Sequence, residues 1–193
     1  MRAQSLDQMV HAACLARGQT QLVNAAREPE ILDLAECLSS MGAKIEGAGS
    51  EVITIEGVEN LHSGAHAVVP DRVEAGSYAI AAAMTGGKLQ LTQMRPAHVH
   101  SLFAAMRQAG VSIEIDGDTA EISSDGRYQA VDVETQPHPG FPTDLQAQFM
   151  ALMAYSNGKS KIKETIFENR FMHVQELVRL GAKIELSGDT AIV

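Results

Sequence analysis

Three prolines and a glycine lead into a single carboxylate in "PHPGFPTDLQAQF", residues 137–149. A backbone so restricted, ending where an apolar helical pattern begins, is a good platform for a positioned acid or base. The carboxylate is Asp144, and the pattern leaves two readings of it open. Thr143 and Gln146 have the T-x-x-Q spacing of a capping box, which puts Asp144 at the first helical position. There the helix dipole stabilises an Asp by about 0.3–1 kcal/mol without any chemistry. Alternatively, Asp144 is an ionised base that takes the proton of a hydroxyl held at hydrogen-bond distance.

A second cluster lies in "ETIFENRFMHVQEL", residues 164–177, where Glu164, Glu168, Asn169, Arg170 and His173 share the connection between a strand and a helix. Adjacent strands of one unit have neighbouring connections, so this loop is expected beside that of Asp144. Arg170 there could clamp a phosphate or a carboxylate, or form a surface ion pair. Other templates are missing: the chain has no GxSxG, HExxH, Walker-type glycine loop or EF-hand loop. His98 and His100 stand two apart at the start of a helix, a spacing that a helix does not bring together, and read as solvated or capping residues. Cys14 and Cys37 have neither a CxxC partner nor a His at ligand spacing, so both are expected to pack as small apolar side chains. No metal and no cofactor is expected.

The elements that must position these loops come from a repeat. "GAKIE" at residues 42–46, "GVSIE" at 110–114 and "GAKIE" at 181–185 start 68 residues (42 to 110) and 71 residues (110 to 181) apart. One supersecondary unit used three times explains that self-similarity. Each copy is preceded by a helical apolar stripe: Ile31, Leu34, Leu38 and Met41, then Val99, Leu102, Phe103 and Met106, then Val174, Leu177 and Val178. Each is followed by two strand-like runs around a tip, "GAGS", "DGD" or "SGD", where Gly and Asp would supply positive φ. Further upstream a helix runs toward Gly18, Gly86 or Gly158, which fit C-terminal caps, and then into a strand. Copies two and three also open with strand-like "AHAVVP" and "YQAVDVET". The unit reads β-α-β-α-β-β, an α/β class, with the first copy truncated before its opening strand.

Composition narrows the partners. Of 193 residues 24 are acidic and 15 basic, with no Lys/Arg run to neutralise a phosphate backbone, so nucleic acid is not an expected partner. No stretch reaches the roughly 18 apolar residues of a membrane span, and a charge and a polar break interrupt the N-terminus where a signal peptide would be apolar. A cytoplasmic protein without membrane contact is expected. Aromatics make up 4% of the chain and aliphatics are plentiful, which favours helices packed on sheets over an aromatic-rich sandwich.

Five motifs in one order, "NAAREPEI" (24–31), "ITIEGV" (53–58), "PDRVEAG" (70–76), "FPTDLQAQF" (141–149) and "ETIFENRFMHVQEL" (164–177), resemble the UDP-N-acetylglucosamine 1-carboxyvinyltransferase family. The resemblance covers nearly the whole chain after about residue 6. It implies an inside-out α/β barrel of six βαβαββ units in two lobes, of which only about half is present. It places residues 1–62, the truncated first copy, in one lobe and residues 63–193 in the other. The activity implied is transfer of the enolpyruvyl group of phosphoenolpyruvate to the 3-hydroxyl of UDP-N-acetylglucosamine, with release of phosphate, in peptidoglycan synthesis. Asp144 then resembles the carboxylate that takes the sugar hydroxyl proton. Thr143 resembles a sugar contact, Ile166 the position whose backbone binds the nucleotide sugar, and Arg170 an arginine at the lobe interface.

Other parts of the family pattern have no counterpart here: its Lys-Asn pair, its mobile loop bearing a catalytic Cys or Asp, and its later Asp and Arg loop. Cys14 and Cys37 match none of them. Where the family reads Ser-Val-Gly before the first helix this chain reads "MRAQSLDQ", so a nucleotide contact is lost or replaced. Two polyanionic substrates need several cations, and the third copy offers few besides Arg170. The chain alone is therefore expected not to turn over, and to need the missing portion of the enzyme as a partner or to self-associate through the face that portion would cover. Two other readings are a 5-enolpyruvylshikimate 3-phosphate synthase-like enzyme and a non-catalytic scaffold of the same fold that binds a nucleotide sugar or a protein.

Overall fold

The computed structural model describes residues 3–193, which divide into two compact units, Met1–Val69 and Pro70–Val193. In the first unit, α1 (Ala3–Cys14), β1 (Gln19–Val23), α2 (Pro29–Ser40), β2 (Lys44–Glu46) and β3 (Val52–Glu56) follow in order. The sheet is antiparallel in the order β1-β3-β2, with Leu22 opposite Ile53 and Ile45 opposite Ile55. Leu6, Val10, Cys14, Ile31, Leu38, Ile53 and Ile55 close the core between helices and sheet. Cys14 is wholly buried there, and burial raises its thiol pKa, in keeping with a packing role; Cys37 is half-buried.

Residues 57–69 run without helix or strand, so the strand expected at "AHAVVP" does not form. Its hydrogen bonds go elsewhere. Asp33 Oδ1 accepts the Val69 amide at 3.0 Å and lies 2.8 Å from His66 Nε2, so the segment is held by a side chain of α2. These contacts tie His66 and Val69 to α2, and the two compact units divide between Val69 and Pro70.

The second unit contains α3 (Arg72–Met84), β4 (Lys88–Leu91), a 3₁₀ turn (Pro96–Val99) leading into α4 (His100–Gln108), β5 (Ser112–Asp116) and β6 (Thr119–Ser123). The next repeat follows with β7 (Tyr128–Gln129), β8 (Val133–Glu134), a 3₁₀ turn (Thr143–Leu145), α5 (Gln146–Met153), β9 (Ser156–Asn157), β10 (Lys161–Lys163), α6 (Val174–Arg179), β11 (Glu185–Ser187) and β12 (Thr190–Ile192). Copy two forms the antiparallel sheet β4-β6-β5, and copy three forms β11-β12-β10-β8 with β8 parallel to β10. One core serves both copies: Leu102, Phe103 and Met106 of α4 pack with Leu145, Phe149 and Met150 and with Ile122 and Ile162 of the sheets.

The repeat motif has a local cause. Gly42, Gly110 and Gly181 take φ of 98°, 102° and 104° just past α2, α4 and α6. In each case the glycine amide and the one after it turn back onto the helix, as Gly181 N–H to Val178 O at 2.9 Å and Ala182 N–H to Leu177 O at 3.0 Å show. That double closure is the Schellman motif, which needs a left-handed residue and so selects glycine. Gly86 closes α3 in the same way, whereas Gly18 and Gly158 lie four and five residues beyond their helices and start the following segments. At the β5–β6 and β11–β12 tips only Gly117 (φ 58°) and Gly188 (φ 60°) are left-handed; the Asp beside each is not. Gly at the first of two loop positions is the type II′ preference, not the shared Gly-Asp role that composition suggests.

Candidate functional site

Asp144 sits in the 3₁₀ turn ahead of α5, and the loop before it is restrained from several sides. Gln136 N–H donates to Phe141 O at 2.9 Å, Gly140 N–H to Pro137 O at 2.8 Å, and Ser101 Oγ of α4 to Gly140 O at 3.0 Å. Phe141 is buried edge-on to Phe149, ring centroids 5.3 Å apart, so the segment before Asp144 is anchored in the core.

The capping box does not form. Pro142 is the residue ahead of the turn and offers no side-chain cap. Thr143 Oγ1 donates instead to Glu164 Oε2 at 2.7 Å, and the buried side-chain amide of Gln146 has no hydrogen-bond partner among the described residues. The bond to a carboxylate is charge-assisted and fixes the Thr143 hydroxyl toward Glu164. Asp144 caps nothing either. Its side chain is half-exposed, and Oδ1 lies 2.5 Å from Arg170 Nη2.

The structure thus brings the two polar loops together. Asn169, left-handed at φ 57°, turns the chain just before Arg170, whose guanidinium carbon lies 4.7 Å over the Phe167 ring. That stacking and the ion pair set the pose of Arg170 in the described structure. His173 completes this edge: burial, then the Arg170 charge, lowers its pKa, and its Nε2 has no hydrogen-bond partner among the described residues.

Beneath these residues lies Glu164, 4% exposed, which the sequence reading placed in the loop without a role of its own. Its Oε1 accepts from Thr135 Oγ1 (2.9 Å), Ile166 N–H (2.9 Å) and Phe167 N–H (3.1 Å), while Oε2 accepts from Thr143. Ile166 is therefore fixed by its amide, and the carbonyl is its other backbone polar group. No group of three His, Cys, Asp or Glu residues able to hold a metal exists among the described residues. The segment "MRAQSLDQ", where a nucleotide contact is expected to be lost or replaced, opens with Met1 and Arg2, which lie outside the described residues, and continues as the start of α1.

Comparison with known proteins identifies the class. The fold matches the crystal structure of the enolpyruvyl transferase NikO from Streptomyces tendae with a TM-score of 0.82 at 24% identity, over 94% of this chain and 43% of that one. A family model described as EPSP synthase (3-phosphoshikimate 1-carboxyvinyltransferase) matches residues 3–193. The chain belongs to that family of carboxyvinyl transferases, and its α/β repeats share the enolpyruvyl transferase fold. Within the family it is 59% identical over 183 residues to a UDP-N-acetylglucosamine 1-carboxyvinyltransferase of Caulobacter sp. (strain K31), covering 94% of this chain and 42% of the relative. A protein of the same name from Xanthobacter autotrophicus is 57% identical, with 94% and 43% covered. The chain spans less than half the length of these curated relatives. None of the helices among the described residues is long and apolar enough to cross a membrane.

Proposed function

We propose that this chain carries part of the site that transfers an enolpyruvyl group from phosphoenolpyruvate to the 3-hydroxyl of UDP-N-acetylglucosamine. The observation that carries the reading is Asp144, a carboxylate at the head of α5 that caps no helix and is left at the surface with Arg170. Asp144 Oδ2 takes the hydroxyl proton as the sugar oxygen bonds to C2 of phosphoenolpyruvate and C3 gains a proton from an acid supplied by the portion of the enzyme outside these residues; the adduct then loses phosphate and a C3 proton to restore the double bond. Thr143 and the Ile166 backbone hold the sugar. Arg170 withdraws from Asp144 to meet negative charge when substrate arrives, a change a half-exposed pair of about 0–1 kcal/mol permits.

Copy one belongs to one lobe and copies two and three to the other. The protein works in peptidoglycan synthesis in the cytoplasm, and the remaining cations of the site come from a portion of the enzyme outside these residues. Alone, the chain binds the nucleotide sugar without turnover, and exposed Met172 and Leu180 favour self-association.

Phosphate release and UDP-N-acetylglucosamine binding are measured together, with Asp144→Ala as control. Binding that weakens in the variant, with no phosphate released by either chain, is expected. Substrate-dependent release lost in the variant would overturn the inactivity of the isolated chain. Preference for shikimate 3-phosphate would overturn the choice of acceptor.

A further inference from the structure

Three positions in the chain are equivalent in the repeat. The Ala25, Met94 and Glu164 amides donate to the carbonyls of Glu51, Asp118 and Asp189, each the residue just before the last strand of its hairpin. All three are buried. In copies one and two a left-handed residue, Asn24 or Gln93, precedes the position and an apolar side chain fills it; copy three lacks the left-handed residue and places a carboxylate there. The fold evidently does not need that carboxylate. An unpaired charge at such a site is strongly unfavourable, so its retention has to be read from its partners.

Those partners are Thr135, Thr143, Ile166 and Phe167, all donors. A carboxylate accepts only, so each hydrogen bond has a fixed direction. Thr135 gives its hydrogen to Glu164 and accepts the Thr165 amide at 2.8 Å, while the Thr165 hydroxyl donates to Thr135 O. Thr143 is left with lone pairs only, and Ile166 with its carbonyl only. Together with the Asp144 carboxylate, they make a cluster of acceptors.

We infer that Glu164 is a positioning residue that sets the hydrogen-bond polarity of the site: by consuming the Thr143 hydrogen and the Ile166 amide, it makes the cluster select ligand groups that donate. This deepens the reading under Proposed function and rests on it for the identity of the ligand. Sugar hydroxyls meet the requirement, whereas phosphoryl oxygens, which only accept, are turned toward Arg170.

Substitution of Glu164 by Gln inverts the device. The new amide donates to Thr143, whose hydrogen then turns outward. The test is calorimetric binding of UDP-N-acetylglucosamine and its 3-, 4- and 6-deoxyfluoro analogues, because fluorine accepts but cannot donate. The wild-type chain is expected to bind at least one analogue roughly tenfold more weakly than the parent sugar, and Glu164→Gln is expected to narrow that gap to roughly threefold or less. A general loss of structure would weaken parent and analogue alike and leave the ratio unmoved. An unchanged ratio in a Glu164→Gln chain that melts like the wild type would overturn the inference. Amide hydrogen exchange supplies the ligand-free arm: Ile166 and Phe167 should exchange faster in Glu164→Met, the residue type of copy two, and unchanged rates in a folded variant would also overturn it. Failure of the wild-type chain to bind the sugar at all, with those amides protected by Glu164, would sink the substrate assignment and leave the polarity device standing.

Discussion

Copies two and three of the repeat share one core and the same order of three antiparallel strands, to which copy three adds the parallel β8, yet their first helices begin in opposite ways. Asp71 before α3 accepts from Val73 N–H at 2.8 Å and Glu74 N–H at 3.0 Å, an ordinary N-cap. Asp144, two residues ahead of α5, accepts from neither neighbouring amide and faces Arg170. The same contrast recurs after the next strand, where Met94 in copy two is core and Glu164 in copy three is a hub of hydrogen bonds. An element that the fold has already stabilised by packing can release its polar residues from structural work, and copy three has released Asp144 from capping. A carboxylate left unspent by helix capping is therefore a better pointer to chemistry than its place before a helix.

The comparison can be broken first at the shared core. Phe149→Ala should destabilise the second unit by about 3–5 kcal/mol in urea unfolding followed by circular dichroism, since the ring is fully buried. Loss confined to copy three, with copy-two amides still protected from exchange, would mean that the two copies do not fold as one.

Next come the repeat glycines. Gly110→Ala and Gly181→Ala force a side chain into the left-handed region, at about 1–2 kcal/mol each. Gly110 should be the worse of the pair, because its new Cβ would sit 3.2 Å from Arg127 O while that of Gly181 meets nothing within 4 Å. Equal melting temperatures would show that crowding is relieved.

The aspartates sharpen the contrast most directly. Asp71→Ala should cost about 1 kcal/mol of stability and leave nucleotide-sugar binding unchanged. Asp144→Ala should cost less than about 0.5 kcal/mol, the scale of an exposed ion pair, and weaken binding. Exchange of these outcomes between the two sites would return Asp144 to a structural role.

The smallest effect concerns pH. Burial and Arg170 lower the His173 pKa below its ordinary 6.5. Between that folded value and 6.5 the unfolded chain binds more protons, so stability is full above about 6.5 and falls as pH drops through the window. Nuclear magnetic resonance titration of the ring should place its midpoint below 6.5, and an Arg170→Gln chain should titrate higher. A midpoint at or above 6.5 in the wild type would contradict this.

Much of the scaffold was legible in the sequence. The 3.6-residue stripes, the tips with glycine and the repeated Gly-x-x-Ile-Glu all act within a few residues, and short-range sterics decide them. Ile31, Leu102, Phe103 and Met106 are in the core as their spacing predicts. The juxtaposition of the Asp144 and Arg170 loops was legible too, because connections of adjacent strands are neighbours. The site's polar chemistry was not. T-x-x-Q spells a capping box, but Thr143 found a better acceptor 21 residues away. "AHAVVP" alternates like a strand, but Asp33 claims its amide across 36 residues. Glu164 stood among several charged loop residues with nothing to mark it as buried, although comparison with Ala25 and Met94 at the matching repeat positions could have singled it out. Sequence by itself determined what each short segment can be, since propensity and periodicity are local. Tertiary structure alone decided which carboxylate caps, which organises and which pairs with Arg170, because a hydrogen bond goes to whichever partner folding brings within 3 Å.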